Sequence, residues 1–381
     1  MTGSILSAYE ATLCGLQRKA RLRSLSPQQG ADFTSNDFLA LASAPRLKEA
    51  ITAAIQRGVP IGAGGSRLLR GNHSEHEELE AEAARFFGVD RVLYFGSGYT
   101  ANSALFSTLP QREDLIVYDA LIHASAHEGI AASKAAGLSV VHNNANAFDD
   151  AIRRWREKGG KGRPWIAVES LYSMDGDKSP LGELAAIADR HEGCLVIDEA
   201  HATGIFGAAG RGLASGLEGG ENVVTLHTCG KALGVSGALL AVPAVLGDYL
   251  VNRARAFIYS TAPSPLLAAG VREALRVVDE EPFRREALGQ LVAFAGGLLE
   301  ERFGVKPSRS QIQPILIGDN ARAVRIAKIL QAEGFDIRAI RPPTVPEGTA
   351  RLRLSITLNV DQLQIERMLD CLAAALEEDR R

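Results

Sequence analysis

The sequence predicts an α/β protein, with a mostly parallel central sheet in a large domain and a small α+β domain after it. Short apolar runs rich in β-branched residues alternate with stretches of helical periodicity up to about residue 270. Polar residues follow several of these runs directly, as they do where parallel strands end at a ligand site. After about residue 270, long helical runs and paired strands take over, which predicts the second domain.

The composition narrows the functional class without defining it. The chain has 381 residues, 46% of them hydrophobic and 23% charged, and a formal net charge of −3, so nucleic acid and anionic membrane are not expected as partners. Its four cysteines are scattered, with no C-x-x-C pair, which predicts free thiols and no metal site. We see neither a signal peptide nor an apolar run of membrane-spanning length, and we therefore expect a cytoplasmic protein.

The first 90 residues read as helices and one flexible loop. Apolar residues at helical spacing within 5–25, followed by a basic cluster, predict an amphipathic helix. Proline at its start and glycine at its end mark Pro45–Gly58 as a second helix. Gly62–Gly71 is a glycine-rich loop. Ser74–Glu77 fits a capping box, and Gly88 stops the helix that begins there.

A strand, a glycine turn and a helix start follow in Val92–Ala101, VLYFGSGYTA. Gly96 to Ala101 match the dinucleotide fingerprint G-x-G-x-x-A, and Asp119 ends the next apolar run, roughly where a ribose-binding acid belongs. A nicotinamide-dependent oxidoreductase is therefore one interpretation. Exposed N–H groups at a helix start hold any phosphate, however, so the turn suits other phosphorylated cofactors equally.

Polar residues mark the ends of the next strands. His123 follows the strand ending near Tyr118, where its imidazole could stack on a flat cofactor ring or cap the next helix. Ser139–Asn143 and Trp165–Ser170 read as strands. Ser173 lies in a polar turn before a helix over 180–191, and its hydroxyl could bind the cofactor or cap the turn locally.

Two segments carry the strongest chemical signal. Leu195–His201, LVIDEAH, is a buried strand that delivers Asp198 and His201 to its end, and Val223–Lys231, VVTLHTCGK, delivers Lys231. Pyridoxal phosphate (PLP) needs a lysine for its Schiff base and a carboxylate for its pyridine nitrogen. From these segments alone, a structural Asp–Lys ion pair explains the residues as well as a PLP site does.

The remaining chain completes the domain scheme. Gly204–Gly212 reads as a loop and 236–242 as a strand returning into the sheet. Helical runs over 265–302, a helix over 321–333, two strands around a proline-rich turn and a final helix over 361–378 form the second domain. We divide the chain into an N-terminal helical segment (1–35), a large domain (36–270) and a small domain (271–381).

Six motifs together resemble the α-oxoamine synthases, which are PLP-dependent enzymes of fold type I, the fold of aspartate aminotransferase. The motifs are GSGYTAN, LIHAS, YSMDGDKSPL, IDEAHATGIFGAAGRG, LHTCGKALGVSG and IRPPTVPEGTARLRLS. The resemblance implies a homodimeric acyltransferase that joins an amino acid to an acyl thioester with loss of CO2. It also implies active sites at the dimer interface, with the glycine loop near Ser66 reaching across.

The C-terminal segments QPILIGDNARA and RPPTVPEGTARLRLS are most similar to the branch of the family that serves biotin biosynthesis. That resemblance implies L-alanine and a pimeloyl thioester, carried on acyl carrier protein or CoA, as substrates. A sibling activity such as glycine C-acetyltransferase is the alternative. A non-catalytic partner subunit is a third possibility, and the presence of Lys231 argues against it.

The resemblance also implies roles for individual residues. Lys231 matches the Schiff-base lysine, Asp198 the acid facing the pyridine nitrogen, His201 the histidine at the ring's 3-oxygen, and His123 the ring-stacking histidine; these four form the catalytic set. The further cofactor contacts that it implies are Gly98, Tyr99, Ser173 and Thr228. The substrate contacts that it implies, besides His123, are Arg23, Arg341, Thr344 and Arg353.

Overall fold

The computed structural model describes residues 5–379, which form two compact units. The large unit contains residues 39–173 and 177–286, and the small unit contains the rest of the described chain. The sequence-derived domain boundaries at residues 36 and 271 stay a prediction, and the outermost residues of the segments 1–35 and 271–381 lie outside the described part.

The helices are α1 (Ser7–Arg18), α2 (Pro45–Gln56), α3 (Ser74–Phe87), α4 (Gly98–Thr108), α5 (Ala124–Ala131), α6 (Ala145–Glu157), α7 (Leu181–Arg190), α8 (Ala244–Arg253), α9 (Arg255–Ile258), α10 (Pro265–Glu280), α11 (Pro282–Phe303), α12 (Asn320–Ala332) and α13 (Gln362–Glu378). The strands are β1 (Ala31–Asp32), β2 (Arg91–Phe95), β3 (Leu115–Asp119), β4 (Ala136–Val140), β5 (Pro164–Glu169), β6 (Cys194–Asp198), β7 (Val223–Thr228), β8 (Ala238–Val242), β9 (Ile312–Gly318), β10 (Phe335–Asp336), β11 (Ala339–Ile340) and β12 (Ala350–Ser355).

A seven-stranded sheet in the order β2-β8-β7-β6-β5-β3-β4 organises the large unit. All of its strands run in one direction except β8, which is antiparallel to both β2 and β7. The predicted α/β fold with a mostly parallel sheet is thus confirmed. The continuous apolar runs of β5 and β8 are buried along their whole length, as expected for strands covered on both faces.

Alternate residues of the strands pack into separate cores on the two faces of this sheet. Ile116 packs in one core with side chains of α4 and α5, whereas its neighbours Leu115 and Val117 pack in the other with side chains of α6 and α7. This period of two follows from the pleat of a strand. Both faces are therefore covered, and polar groups are left for the ends of the strands.

The small unit contains a three-stranded antiparallel sheet in the order β11-β12-β9, and the parallel pair β1–β10. The buried side chains of α12 and α13, among them Ile326 and Leu369, form its core together with alternate residues of β12. The predicted strands around the proline-rich turn are β11 and β12, and the predicted terminal helix is α13.

Three local predictions need correction. The N-cap of α3 is His73, not Ser74, and the reciprocal partner in its capping box is His76, whose ring nitrogen also lies 2.8 Å from the Pro263 carbonyl oxygen. The strand predicted over 139–143 is β4, which ends at Val140. The amphipathic helix α1 is present but ends at Arg18 and buries none of its residues.

Within residues 5–379, no helix combines the length and the apolar character that crossing a bilayer requires.

Candidate active site

The site lies along one edge of the large sheet, where the parallel strands end. The carboxyl ends of β3, β5, β6 and β7 carry Asp119, Glu169, Asp198 and Thr228. Because β8 runs the other way, it begins at this same edge, and the segment from β7 to β8 holds Lys231 there. Ligands of open α/β sheets bind at such edges.

Lys231 lies in the connection between β7 and β8, residues 229–237. Backbone bonds from the Cys229 amide to the Gly237 carbonyl (2.9 Å) and from the Gly234 amide to the Lys231 carbonyl (2.8 Å) fix the chain around it. The Lys231 Nζ lies 2.7 Å from Nε2 of His201, a residue that is nearly fully buried. This contact joins the segment after β6 to the segment after β7, while the roles of both residues toward a cofactor stay a prediction.

The Asp198 carboxylate is oriented by two donors. Its Oδ2 accepts a hydrogen bond from Nδ2 of Asn102 (2.9 Å), and its Oδ1 accepts one from the Ala200 amide (2.9 Å). Both oxygens of Asp198 are therefore held in fixed positions.

A chain of hydrogen bonds connects Asp198 to His123. Asn102 also donates to the Ser125 hydroxyl (3.0 Å), and that hydroxyl lies 2.7 Å from Nδ1 of His123. The same Nδ1 accepts from the Ser125 amide, so His123 caps α5. Its imidazole is exposed, and stacking on a cofactor ring stays a prediction beside the observed cap.

The N-terminus of α4 lies at this edge beside β7. Ser97 caps it by accepting from the Thr100 amide (3.1 Å), while Gly98 and Tyr99 supply the amides of the first turn. The Gly98 Cα faces Thr228 closely enough that an added Cβ would lie 3.7 Å from its Oγ1. Amide groups, a hydroxyl and the positive end of a helix dipole together suit a phosphate.

The structure excludes the nicotinamide interpretation of the glycine turn. Asp119 is fully buried, and its oxygens accept hydrogen bonds from the Leu121 amide, the Asn143 amide and His142 Nδ1, each at 2.8 Å. This carboxylate is occupied and is not open to a ribose. In addition, β2 is an edge strand paired to an antiparallel neighbour, whereas a dinucleotide fold places that strand centrally in a parallel sheet.

His142 anchors the turn that holds Ser173. It joins Asp119 to Asp177, with Nδ1 and Nε2 each 2.8 Å from one of the two carboxylates. Burial disfavours the charged imidazole, but the hydrogen bonds to both carboxylates outweigh it and raise the pKa of His142 to about 10. The Ser173 amide donates to the Glu169 carboxyl, which places this turn beside the end of β5.

The four predicted substrate contacts of the C-terminal region and the N-terminus lie in the small unit. Arg23 donates to the Thr344 hydroxyl (3.0 Å), and the Arg341 guanidinium donates to the Ala20 carbonyl. Arg353, on β12, is 7% exposed and donates to the Ser355 hydroxyl (2.8 Å) and to Oδ1 of Asn36 (2.9 Å). The small unit thus brings Arg23, Arg341 and Thr344 into one cluster and fixes Arg353 by separate contacts.

The donor set of the large unit fits PLP. A primary amine, an anchored carboxylate, an exposed imidazole and a capped helix start match the aldehyde, pyridine nitrogen, ring face and phosphate of that cofactor. We infer that Lys231 binds the aldehyde and Asp198 faces the pyridine nitrogen. His123 would lie on the ring face, and the first turn of α4 would bind the phosphate. A simple Asp–Lys ion pair does not explain why Asn102 orients the acid or why His201 lies against the amine.

Sequence reasoning missed three residues at this site. Asn102 and Ser125 lie inside the recognised motifs. Their residue types do not predict that Asn102 donates hydrogen bonds to both Ser125 and Asp198. Glu169 ends the apolar run WIAVE and sits beside Asp198 in the sheet register. Only their positions in the sequence could have indicated a role in the site. Asn102 is one helical turn beyond Gly98, and Glu169 is the last residue of a buried strand.

Comparison with known proteins agrees with this geometry. The family model "Aminotransferase class I and II" matches residues 29–372. Among solved structures, the serine palmitoyltransferase of Sphingomonas wittichii superposes with a TM-score of 0.89 at 25% identity, covering 98% of both chains. The 8-amino-7-oxononanoate synthase of Francisella tularensis superposes with a TM-score of 0.78 at 28% identity, covering 92% of this chain and 99% of that one.

Fold and site therefore define a PLP-dependent enzyme of fold type I. Sequence relatives narrow this class. The 8-amino-7-oxononanoate synthase of Saccharophagus degradans is 39% identical, over 91% of this chain and 87% of its own. The 8-amino-7-oxononanoate synthase of Anaeromyxobacter dehalogenans is also 39% identical, over 99% of this chain and 95% of its own. The chain belongs to the 8-amino-7-oxononanoate synthase family.

Proposed function

We propose that the enzyme condenses L-alanine with a pimeloyl thioester. A carbon–carbon bond forms between the alanine Cα and the thioester carbonyl, the thiol carrier leaves, and the alanine carboxylate is lost as CO2. The product is 8-amino-7-oxononanoate, a precursor of biotin. The observation that carries the proposal is the Lys231–His201 contact at 2.7 Å, at the same strand edge as the anchored Asp198.

When bound, PLP stabilises the electron pair left at the amino acid Cα after a bond to that carbon breaks. The residues of the chain determine which bond that is. Lys231 Nζ is the base that removes the alanine Cα proton, and the neighbouring His201 fixes the position of its amine. Asp198 keeps a proton on the pyridine nitrogen, and the donors on its two oxygens fix the orientation of its carboxylate.

The remaining roles concern binding and orientation. Arg353 binds the alanine carboxylate through its planar guanidinium, which a carboxylate can meet with two parallel bonds. Asn36 and Ser355 hold that guanidinium in place. Arg23, Arg341 and Thr344 bind the acyl substrate or the carboxylate. His123 lies on the ring face, and Gly98, Tyr99, Ser173 and Thr228 contact the cofactor.

Replacing the lysine tests the mechanism. Lys231→Ala should abolish turnover and leave no cofactor covalently attached after borohydride reduction, because reduction traps only an imine to an amine of the protein. Lys178→Ala is the matched control, since it removes a lysine whose ammonium lies over the Phe206 ring. It should keep activity and trapping. Covalent cofactor in Lys231→Ala would assign the amine to another residue.

A grid of amino acids and thioesters tests the substrates. We expect turnover with alanine and pimeloyl thioesters on acyl carrier protein or CoA, and the ratio of the two kcat/KM values identifies the preferred carrier. Serine with palmitoyl-CoA is the competing pair, because the serine palmitoyltransferase structures have the higher TM-score. Glycine with acetyl-CoA is the third pair. Preference for either of these would replace the proposed reaction by a sibling one.

We also propose a cytoplasmic homodimer. Large apolar side chains are exposed in the glycine loop 62–71 (Leu69, 84% exposed) and directly before it (Ile61, 80% exposed), which suits burial against a second copy. Leu69→Asp should shift the mass in light scattering from dimer toward monomer and lower activity. Val245→Asp, at a comparably exposed position (77%), should do neither. A monomeric wild type would overturn this part of the proposal.

A further inference from the structure

A second carboxyl lies beside Asp198. Glu169 ends β5, and its Cα is the register partner of Asp198 on β6. Paired residues of neighbouring parallel strands project from the same face of a sheet, and the strands are about 4.8 Å apart. Glu169 is 3% exposed, so two acidic groups are brought together with little water between them.

The two carboxyls have different surroundings. Asp198 accepts hydrogen bonds on both oxygens, from Asn102 and from the Ala200 amide. Glu169 accepts one from the Ser173 amide, while its buried Oε1 has no hydrogen-bond partner within residues 5–379. A buried acceptor rarely stays unsatisfied in the charged form, because that costs more than leaving a neutral group unpaired.

The charges that face Glu169 do not all act in the same sense. Asp198 on β6 and Asp119 on β3 disfavour a further negative charge, and the Lys231 ammonium favours it. Burial is the largest influence, and the net result raises the pKa of Glu169 to about 8. When like charges share a site, one group commonly keeps the proton while the other stays ionised.

We propose that Glu169 is a positioning residue that stays un-ionised and thereby confines the negative charge of this carboxyl pair to Asp198. Its buried Oε1, which has no hydrogen-bond partner within residues 5–379, is the oxygen that carries the proton. The role of Asp198 toward the pyridine nitrogen is part of the proposed function, and the assignment of Glu169 rests on it. A second anion beside Asp198 would compete with it for the proton of the pyridine nitrogen.

Infrared spectroscopy of the PLP-loaded enzyme tests the protonation state without any substrate. The difference spectrum of wild type minus Glu169→Gln should contain the carbonyl stretch of an un-ionised carboxylic acid at pH 7, and this band should vanish at alkaline pH. A carboxylate band in its place at pH 7 would overturn the proposal. Because no turnover is involved, this result is independent of which substrates the enzyme accepts.

The isosteric variant tests the role. Glutamine is a neutral donor that cannot ionise, so Glu169→Gln should keep kcat within about fivefold of wild type at pH 7. An alkaline transition in the absorption of bound PLP that arises from ionisation of Glu169 should be present in wild type and absent in Glu169→Gln. A fall of about a hundredfold in kcat at pH 7 would instead show that the ionised form is needed.

Glu199→Gln is the matched control. Glu199 is equally buried one residue beyond Asp198, but its carboxyl accepts from the Ala214 amide (2.6 Å) and the Ser170 hydroxyl (2.9 Å). This variant should lower stability and leave the absorption titration of bound PLP at its wild-type position. If it removed the alkaline transition as Glu169→Gln does, the transition would not belong to Glu169 and the proposal would fail.

Discussion

At the scale of single residues, Asn102 connects the Asp198 carboxylate to the His123 imidazole through hydrogen bonds. Its amide nitrogen donates both to Asp198 (2.9 Å) and to the Ser125 hydroxyl (3.0 Å), so one side chain sets the orientation of the acid and, through Ser125, of His123. Asn102 is 2% exposed. A buried amide whose donors are both used by functional groups orients them more strictly than packing alone would.

Removing this amide should weaken the site without unfolding the chain. Asn102→Ala deletes a buried hydrogen bond to a charged group, a loss of about 1.5–3 kcal/mol, and we expect PLP affinity to fall about 10- to 100-fold. Fluorescence titration of the apoenzyme with PLP measures this. Asn252→Ala, which removes a bond within α8, should leave the affinity unchanged. Wild-type affinity in Asn102→Ala would show that Asp198 needs no such support.

At the scale of elements, the close packing of α4 and α5 holds these residues together. Gly129 of α5 faces α4, and an added Cβ there would lie 2.8 Å from the Asn102 carbonyl oxygen and 3.0 Å from the Phe106 Cβ. No other residue type allows the two helices to approach this closely. The distance between His123 at the start of α5 and Asn102 on α4 therefore depends on this glycine.

Gly129→Ala should force the helices apart. We expect a loss of about 1–3 kcal/mol in the free energy of unfolding, as for other overpacked cores, together with weaker PLP binding. Gly289→Ala is the control, because Gly289 is an exposed helical glycine with open space where the added methyl group would lie. That change should stabilise by about 0.5–1 kcal/mol. Urea unfolding followed by circular dichroism compares them, and equal stability of the two variants would contradict the packing argument.

The positions of helices and strands could be predicted from the sequence better than the directions in which the strands run and the contacts at helix ends. Most strands and helices, and the residues delivered by β6 and β7, follow from apolar runs and their polar ends. The antiparallel course of β8 does not follow, since SGALLAV has the same composition whichever way it runs. The His73–His76 cap was missed for a similar reason, because Ser74 is the better cap by residue type and only the backbone path decides between them.

Site contacts made between distant segments were equally out of reach. The carboxylate of Asp198 was predictable as a strand end, whereas its partner Asn102 depends on how α4 lies across the sheet. The roles of the arginines came from the resemblance to a family and not from any local pattern. Residues near strand ends can therefore be nominated from sequence, but their hydrogen-bond partners require coordinates.

At the scale of the whole molecule, buried titratable groups make folding sensitive to alkaline pH. The pKa of His142 is raised from 6.5 to about 10 against burial by its two carboxylate partners, and burial raises the pKa of Glu199 to about 7. In each case the folded state binds its proton more tightly than the unfolded chain does. Stability gained this way is complete below the unfolded pKa and is lost as the pH rises through the folded one.

The free energy of unfolding should accordingly decline between pH 7 and pH 10, the range that ends at the pKa of His142. His142→Gln should be less stable at pH 7. Its free energy of unfolding should also decline less between pH 7 and pH 10, because glutamine has no proton to lose in that range. His127→Gln is the control, since burial lowers the pKa of His127 and it is already neutral in this range. Urea titrations at several pH values measure the slope, and parallel slopes in wild type and His142→Gln would refute the assignment.

The hairpin between β7 and β8 has a consequence for repeated turnover. In each cycle the amine of Lys231 must exchange one bonding partner for another and then resume its starting place. Backbone hydrogen bonds within the connection between β7 and β8 hold the main chain at Lys231 in one path. The four-carbon side chain then supplies most of the movement, and a residue inserted between Thr228 and Lys231, which would displace the amine from His201, should strongly lower activity even in a well-folded protein.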